Sequence, residues 1–222
     1  MGRPVVIFDC NGVLVDSEPI VFAVLADALS RIGMPSSATE LAQQFHGRRP
    51  ADVFAMLARS GRRTFPLDFP ATVAAETLRR LRAELRPVAH AAHALTWIRG
   101  PKAVASSSPI DRVRVSLEVT GLLRYFEPRL FSASEAARGK PAPDLFLLAA
   151  KRLNVAPAEC IVVEDSVAGV GAAKAAGMHP IGFVGSSPSE GRLARDLSAA
   201  GARSVIADLR ALKSAIVELR GW

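Results

Sequence analysis

Polar residues stand directly after three short apolar runs of the chain, and their types suit the binding of ions. Asp9 follows the first run, Ser106 and Ser107 follow the second, and the pair Glu164-Asp165 follows the third. Carboxylates that crowd together raise each other's pKa unless a cation lies between them, and their hard oxygen atoms suit Mg²⁺. A helix that begins after the serines would offer free N–H groups to a phosphate oxygen. These residue types predict a Mg²⁺ site beside a phosphate site.

Each cluster also has an ordinary structural interpretation when it is taken alone. Asp followed by Gly is common in turns, Ser and Pro often begin a helix, and an adjacent Glu and Asp are usually surface charge. A fourth segment, Gly139–Asp144, contains two prolines that would fix a loop ahead of a helix, and Lys140 lies within it. A lone Lys is usually on the surface, but one held beside carboxylates would neutralise both the acids and a bound phosphate.

The elements that would position these clusters alternate between strand and helix after residue 87. This alternation predicts a parallel sheet that is covered by helices on both faces. Ligands of such sheets bind at the carboxyl ends of the strands, near the topological switch point, and the three clusters stand at such ends. The predicted strands are Val5–Phe8, Lys102–Ala105, Leu130–Phe131, Cys160–Val163, Pro180–Val184 and Ser204–Ile206.

Residues 16–87 show only helix patterns, and no strand interrupts them. We therefore expect an α/β protein whose core, residues 1–15 and 88–222, carries an inserted all-helical domain at 16–87. The predicted helices of this domain are Ser17–Ile32, Ala38–Gln44, Ala51–Ser60 and Asp68–Leu85.

The four clusters in this order resemble the haloacid dehalogenase superfamily, in the branch with a small helical cap after the first strand. FDCNGVLVDSE, ASSS, GKPAPD and VVEDSVAGVGAAKAAGM all stand at family-like spacings, so the resemblance covers nearly the whole chain. It implies a Rossmann-like parallel sheet core with an inserted all-helical cap domain. The members that are most similar are Mg²⁺-dependent phosphatases of sugar phosphates and phosphoglycolate, and the β-phosphoglucomutases.

The resemblance also implies a role for each matching residue. It makes Asp9 the nucleophile that takes the phosphoryl group as an aspartyl-phosphate, and it makes Ser106 and Lys140 the phosphate-holding groups, with the amide of Ser107 beside them. The implied Mg²⁺ ligands are Asp9, the backbone carbonyl of Asn11, Asp165, and Glu164 either directly or through water.

Asn11 departs from the family pattern, because phosphatases of this family carry Asp two residues after the nucleophile. That Asp protonates the leaving group and then activates the water that cleaves the aspartyl-phosphate. An amide cannot exchange a proton at neutral pH, and loss of a general acid–base group costs about 10²–10⁴-fold in rate. We therefore expect phosphate binding to survive and turnover to be slow.

Several explanations of Asn11 are open at this point. The residue is an engineered change that traps a complex, or a natural feature of a protein used for binding, or a position whose proton transfer is supplied by another group. Deamidation of the Asn11-Gly12 pair to Asp is a further hypothesis, and it would restore activity.

Three residues of the predicted cap, Arg48, Arg49 and Glu18, are candidates for contact with a substrate. The segment Phe45–Pro50 resembles the cap loop that faces the active site, so Arg48 or Arg49 would bind a hydroxyl, a carboxylate or a second phosphate. Adjacent arginines fit a solvated helix start equally well. Glu18 would face the cleft from the first cap helix, whereas His46 is interpreted as a packing or capping residue rather than a catalyst.

Composition sets the remaining expectations. The 222 residues are 50% hydrophobic, with a formal charge of +7. The Arg residues are scattered and no aromatic residues interleave with them, so we expect no nucleic-acid partner. Cys10 and Cys160 lie in apolar runs and are expected to be buried, reduced thiols. The N-terminal apolar run is too short for a signal peptide and no run reaches membrane-spanning length, which favours a cytoplasmic protein without a membrane partner.

The sequence favours one function and leaves others open. The favoured function is that of a Mg²⁺-dependent phosphohydrolase of small phosphorylated metabolites, with a mutase as its variant. The alternatives are a protein of the same fold that binds a phosphate ligand without turnover, and a basic nucleic-acid binder. Dehalogenase chemistry, which needs no metal, does not explain Glu164-Asp165, and phosphonate cleavage would need a cap Lys, which residues 16–87 lack.

Overall fold

The computed structural model describes residues 4–61, 64–185, 187 and 190–219, and the other residues of the predicted domains lie outside this description. Six strands form one sheet in which every neighbouring pair is parallel. The strands are β1 (Val5–Phe8), β2 (Lys102–Ser106), β3 (Leu130–Ser132), β4 (Cys160–Glu164), β5 (His179–Phe183) and β6 (Ser204–Ile206). Each strand overlaps the apolar run that predicts it.

The central strands are buried on both faces, which explains why they appear in the sequence as unbroken apolar runs. Successive side chains of a strand point to opposite faces. In β1, Val6 and Phe8 belong to the hydrophobic cluster on one side of the sheet, whereas Val5 and Ile7 belong to the cluster on the other side. Helices must therefore cover both faces.

The first four of the five described helices between β1 and β2 form a unit that we call the helical insertion. They are α1 (Glu18–Arg31), α2 (Ala38–Phe45), α3 (Pro50–Gly61) and α4 (Phe69–Glu84). They share a hydrophobic cluster of their own, which includes Leu29 and Phe45. The chain leaves and re-enters the core side by side, since the Asp16 N–H donates to the Arg86 carbonyl at 3.0 Å and the Val88 N–H to the Leu14 carbonyl at 2.9 Å.

The helices of the core divide between the two faces of the sheet. Residues of α5, α6 and α10 join the cluster that contains Phe8, and residues of α7 and α8 join the cluster that contains Ile7. These helices and α9 are α5 (Ala91–Trp97), α6 (Ile110–Val119), α7 (Asp144–Leu153), α8 (Val167–Ala175), α9 (Glu190–Ala200) and α10 (Leu212–Leu219).

The strand order is β3-β2-β1-β4-β5-β6, so the direction of winding reverses beside β1. This is the order of the Rossmann fold, and it opens a crevice at the carboxyl ends of the strands around the reversal. The predicted α/β class with a Rossmann-like parallel sheet is confirmed. The ends of β1, β2 and β4 meet at the crevice.

Two expectations from composition concern the thiols and the membrane. Cys10 and Cys160 are both free and buried. Burial raises the pKa of both thiols, and it raises the pKa of Cys160 to about 11. None of the helices in the described residues combines the length and the apolar character that a bilayer crossing requires.

Candidate active site

The loop after β1 forms one wall of a polar centre. The Asp9 N–H donates to the Val163 carbonyl of β4 at 2.9 Å, which ties the loop to the neighbouring strand. Gly12 turns the chain with a φ of 76°. A Cβ at Gly12 would lie 1.7 Å from Oδ2 of Asp165, so the Asp165 carboxylate rests directly against this turn. The polar ends of β1 and β4 therefore share one site.

Lys140 joins the acids of this site from the loop before α7. Its Nζ donates to Oδ1 of Asp9 at 2.6 Å, to Glu164, and to the Ala105 carbonyl at 3.4 Å. Burial works against the charge of Lys140, but the carboxylates of Asp9 and Glu164 outweigh it and raise the pKa of the ammonium group. Lys140 is thus a buried, charged group between two acids.

The two acids that bind Lys140 differ in their surroundings. Burial raises the pKa of Asp9 to about 7, and the charges of Glu164 and Asp165 add to this effect while Lys140 opposes it. Glu164 is fully buried. Its second oxygen accepts a hydrogen bond from Ser166 Oγ at 3.0 Å. Lys140 and Ser166 therefore hold one Glu164 oxygen each.

The serines after β2 are ordered by bonds across the site. Ser106 Oγ accepts from the Ser108 N–H at 3.2 Å, within its own turn. Ser107 Oγ donates to the Gly47 carbonyl at 3.0 Å and so connects the core to the helical insertion. Pro109 stands at the N-terminal cap of α6 without a side-chain capping bond. Pro109 therefore does not cap the first N–H groups of α6, although one of them, that of Arg112, donates to Oδ1 of Asp111 at 2.8 Å. The start of a helix is a favourable place for an anion.

Asn11 is held on both sides of its amide. Its Nδ2 donates to Ser108 Oγ at 2.9 Å, and its Oδ1 accepts from Ser17 Oγ at 2.9 Å. Ser17 stands at the N-terminal cap of α1 but makes no side-chain capping bond, because its hydroxyl is directed to Asn11. The amide is fixed in the site although it cannot transfer a proton.

His46 reaches into the site from the end of α2. Its Nε2 lies 3.1 Å from Oδ2 of Asp165 and 3.3 Å from Oε1 of Glu18. Burial lowers the pKa of His46, but the charges of Asp165 and Glu18 dominate and raise it to about 10. Burial raises the pKa of Glu18 to about 7, and His46 acts against this shift.

The interpretation of His46 as a packing or capping residue misses this contact. The backbone of His46 does end α2, since its N–H donates to the Ala42 carbonyl at 3.1 Å, but its side chain bridges two acids. The only signal in the sequence was the position of His46 inside Phe45–Pro50, the segment that resembles an active-site loop. Glu18 does face the cleft, as the sequence predicts.

The structure separates the two arginines that follow His46. Arg48 is exposed and lines the cavity above the acids. Arg49 pairs with Asp52 through Nε at 2.8 Å and lies against Gly139, outside the set of cavity-lining residues in the described chain. A third arginine, Arg112 of α6, lines the cavity and was not predicted.

A cavity of about 360 Å³ lies between the sheet edge and the helical insertion. Its polar end contains Asp9, Asn11, Lys140 and Asp165, and apolar residues of α1, α3 and α4 form the opposite wall. This volume lies in the range typical of small-molecule sites. The polar centre therefore opens into a space that a small ligand would fill.

The acids fit a partly hydrated Mg²⁺ rather than a preformed metal cage. In the part of the chain that the structure describes, no group of three or more His, Cys, Asp or Glu residues is arranged to hold a metal ion. Asp9 and Asp165 nevertheless both line the cavity, and the Asp165 carboxylate lies against the turn at Gly12. Mg²⁺ usually takes one or two carboxylates and keeps several waters, and this donor set suits that pattern.

Comparison with known proteins places this geometry in a family. The sequence profile of the haloacid dehalogenase-like hydrolases matches residues 4–177. The chain belongs to this family. It is 32% identical over 179 residues to the 6-phosphogluconate phosphatase of Escherichia coli (strain K12), and this match covers 80% of the chain and 81% of the relative. The predicted family resemblance is confirmed.

Solved structures of family members are similar along nearly the whole chain. A haloacid dehalogenase-like protein of unknown function from Agrobacterium tumefaciens has a TM-score of 0.81 and 34% identity, covering 99% of this chain and 100% of the other. A family hydrolase from Deinococcus radiodurans, solved with bound phosphate and sodium, has a TM-score of 0.74 and 33% identity, covering 97% and 96%.

Proposed function

We propose that this haloacid dehalogenase-like hydrolase is a Mg²⁺-dependent phosphatase of small phosphorylated sugars, with Asp9 as its nucleophile. One observation carries the proposal: the Asp9 carboxylate binds Lys140 and, together with Asp165, lines a cavity of ligand size. The 6-phosphogluconate phosphatase activity named for the E. coli relative points to the same class of substrate.

The residues around Asp9 supply what phosphoryl transfer needs. Asp9 attacks phosphorus, the ester oxygen leaves with its electron pair, and an aspartyl-phosphate forms. Lys140, the Ser106 hydroxyl and the Ser107 amide hold the phosphate oxygens at the start of α6. Asp9, the Asn11 carbonyl and Asp165 hold Mg²⁺, which draws charge from the phosphoryl oxygens when it is bound.

In this proposal the helical insertion, within residues 16–87, acts as a cap over the active site. His46 and Gly47 already meet Asp165 and Ser107 of the core, so the insertion covers the reacting centre. Exclusion of water strengthens electrostatic interactions inside the site. Arg48 and Glu18 contact the sugar hydroxyls from this cap, whereas Arg49 stays with Asp52.

Asn11 sets the rate in this proposal. Its side chain takes the place of the family's Asp, but an amide can neither give a proton to the leaving group nor take one from the attacking water. The hydrolytic step is therefore slow, and we expect an aspartyl-phosphate or a bound substrate to persist. A cytoplasmic location, expected from the sequence, suits a phosphatase of sugar metabolites.

Phosphate release by the parent chain and by Asn11→Asp, measured with Mg²⁺ over sugar phosphates and phosphoglycolate, tests the proposal. We expect the variant to be faster by about 10²–10⁴-fold. Both Ser108 and Ser17 can donate to a carboxylate at this position, so the fold should be kept. Asn154→Asp is the matched control, because Asn154 is an exposed residue at the end of α7.

A second candidate function, phosphate-ligand binding without turnover, is favoured by Asn11 alone. It predicts that neither the parent chain nor Asn11→Asp releases phosphate, although both bind sugar phosphates. Equal and rapid turnover by both proteins would instead contradict the role of Asn11. Deamidation is tested in the same samples by peptide mapping, since an active preparation that contains only Asn at position 11 excludes it.

A further inference from the structure

Arg112 is a cation of the cavity that no role proposed above uses. It lies in the first turn of α6, and its side chain lines the same cavity as Asp9 and Lys140. Its Nε atom is buried and has no hydrogen-bond partner within the described residues. A buried polar group without a partner is costly, so this side chain is arranged for a partner that enters the cavity.

The other basic groups of the cavity are paired or exposed. Lys140 is bound by Asp9 and Glu164, and His46 is bound by Asp165 and Glu18. Arg48 is exposed to solvent. Among the described cavity residues, Arg112 is thus the basic group with a buried N–H that has no hydrogen-bond acceptor. A ligand that satisfies it must carry an acceptor, and an anionic acceptor also balances its charge.

Arg112 follows the proposed phosphate site along the chain. That site lies at Asp9, Lys140 and the amide of Ser107, and Arg112 lies in the first turn of α6, shortly after Ser107. Helix α6 packs against α4 of the insertion, whose residue Thr77 lines the same cavity. Because α6 and the insertion both line the cavity, the organic part of a substrate bound there can contact Arg112.

A carboxylate fits this place better than a hydroxyl or a second phosphate. A guanidinium presents parallel N–H groups that bind both oxygens of a carboxylate, and the Nε–H is one of these groups. A hydroxyl offers a single acceptor atom and cannot bind both N–H groups in this way. A phosphate dianion would bring two charges near Glu18 and Asp111, which line the same cavity.

We propose that Arg112 binds the carboxylate of the substrate, so that the preferred substrates of this site are phosphorylated sugar acids. This inference rests on the phosphatase function proposed above and narrows its substrate class. Arg112 acts on substrate choice, while the phosphoryl transfer stays with Asp9 and the groups around it.

A matched pair of ligands tests the inference by calorimetry in the presence of Mg²⁺. 6-Phosphogluconate and sorbitol 6-phosphate share a six-carbon chain and a terminal phosphate, and they differ at one carbon, which is a carboxylate in the first and a hydroxymethyl group in the second. We expect the chain to bind 6-phosphogluconate about 10- to 100-fold more tightly, the worth of one charge-assisted contact.

Substitution of Arg112 should remove this preference. Arg112→Met should lower the affinity for 6-phosphogluconate by about 10- to 100-fold and leave that for sorbitol 6-phosphate unchanged. Arg112→Lys keeps the charge but loses the planar guanidinium group. Its affinity for 6-phosphogluconate should therefore lie between that of the parent chain and that of Arg112→Met. Arg114→Met is the matched control, because Arg114 is an exposed residue of the same helix and pairs with Glu127; it should change neither affinity.

The possible outcomes separate this inference from the proposed function. Binding of both compounds with equal affinity overturns the role of Arg112 and leaves the phosphatase proposal standing. An equal loss of both affinities in Arg112→Met, with Arg112→Lys unchanged from the parent, also overturns it, since charge alone would then matter. Failure of both compounds to bind the parent chain overturns the proposed function and this inference together. If Arg112→Met does not fold, two results still test the inference. They are the preference of the parent chain for 6-phosphogluconate over sorbitol 6-phosphate and the loss of part of that preference in Arg112→Lys.

Discussion

The Nζ atom of Lys140 lies 2.6 Å from Oδ1 of Asp9 and donates a second hydrogen bond to Glu164, and all three side chains are buried. Two acids and one cation leave this group with a net negative charge inside the protein. Burial and the neighbouring acids already raise the pKa of Asp9 to about 7. A further cation beside Asp9 would favour its charged, nucleophilic form, and this is the electrostatic argument for Mg²⁺ at the site.

Removal of Lys140 should destabilise the fold. Lys140→Met leaves Asp9 and Glu164 buried without their cation, and breaking a buried ion pair from one side costs about 3–5 kcal/mol. Chemical denaturation without Mg²⁺ measures the free energy of unfolding. Lys151→Met removes the same charge from an exposed position of α7 and is the control. A Lys140→Met protein as stable as this control would show that the acids are neutralised in another way.

Gly12 should tolerate no side chain, because a Cβ there would overlap Asp165. Comparison with Gly121 separates this overlap from the effect of the positive φ. Gly12 and Gly121 have similar φ values of 76° and 70°, but a Cβ at Gly121 meets nothing within 4 Å whereas one at Gly12 would overlap the Asp165 carboxylate. Ala at either position carries the strain of a left-handed backbone, about 1–2 kcal/mol. Gly12→Ala should in addition displace Asp165 and abolish binding of Mg²⁺.

Calorimetry with Mg²⁺ and denaturation of both alanine variants provide the comparison. Gly121→Ala should lose stability and keep its affinity for Mg²⁺. Retention of normal Mg²⁺ affinity in a folded Gly12→Ala would mean that Asp165 has room to move, and it would weaken its assignment as a ligand.

The parts of the site that sequence reasoning found are those fixed by the ends of strands. Asp9, Ser106 and Asp165 follow apolar runs, and a parallel sheet brings such ends together whatever the intervening loops do. The sheet class followed in the same way from alternating patterns. Lys140 required the family resemblance, because nothing local shows that a loop after β3 turns back onto β1.

The residues that sequence reasoning missed depend on how the insertion sits on the core. His46 bridges Asp165 and Glu18, and 119 residues of sequence separate it from Asp165. A periodic pattern in the sequence cannot predict a contact over such a separation. Arg112 has the appearance of an ordinary basic residue on a helix until α4 covers that face. Arg49 could have been interpreted from local spacing, since a partner three residues away on a helix is the expected neighbour.

Mg²⁺ should stabilise the protein through Asp165. A ligand that binds only the folded state adds about 2.7 kcal/mol to the free energy of unfolding at 100 times its Kd. Asp165→Asn should lose most of this gain, because the amide supplies a neutral oxygen in place of a carboxylate. The readout is the denaturation midpoint with and without Mg²⁺, which does not depend on turnover.

Asp27→Asn is the control for this experiment, because Asp27 is an exposed carboxylate on α1. It should show the same stabilisation by Mg²⁺ as the parent chain. If Mg²⁺ stabilises Asp165→Asn as much as the parent, the ion binds elsewhere and the proposed ligand set is wrong.

His46 should compete with Mg²⁺ for Asp165. Its imidazole lies 3.1 Å from Oδ2 of Asp165, and the two neighbouring acids raise its pKa to about 10, so it is a cation at neutral pH. A second cation at the same carboxylate is repelled by the first. His46→Ala should therefore bind Mg²⁺ more tightly than the parent, by about tenfold if the repulsion is near 1.4 kcal/mol.

The same substitution should lower stability in the absence of metal. The contacts of His46 with Asp165 and Glu18 are hydrogen bonds between charged groups, each worth about 1.5–3 kcal/mol, and their loss leaves two acids facing each other. His93→Ala, an exposed histidine of α5, should change neither stability nor Mg²⁺ affinity. Weaker Mg²⁺ binding by His46→Ala would show instead that His46 positions Asp165 for the ion, so that the insertion completes the metal site rather than opposing it.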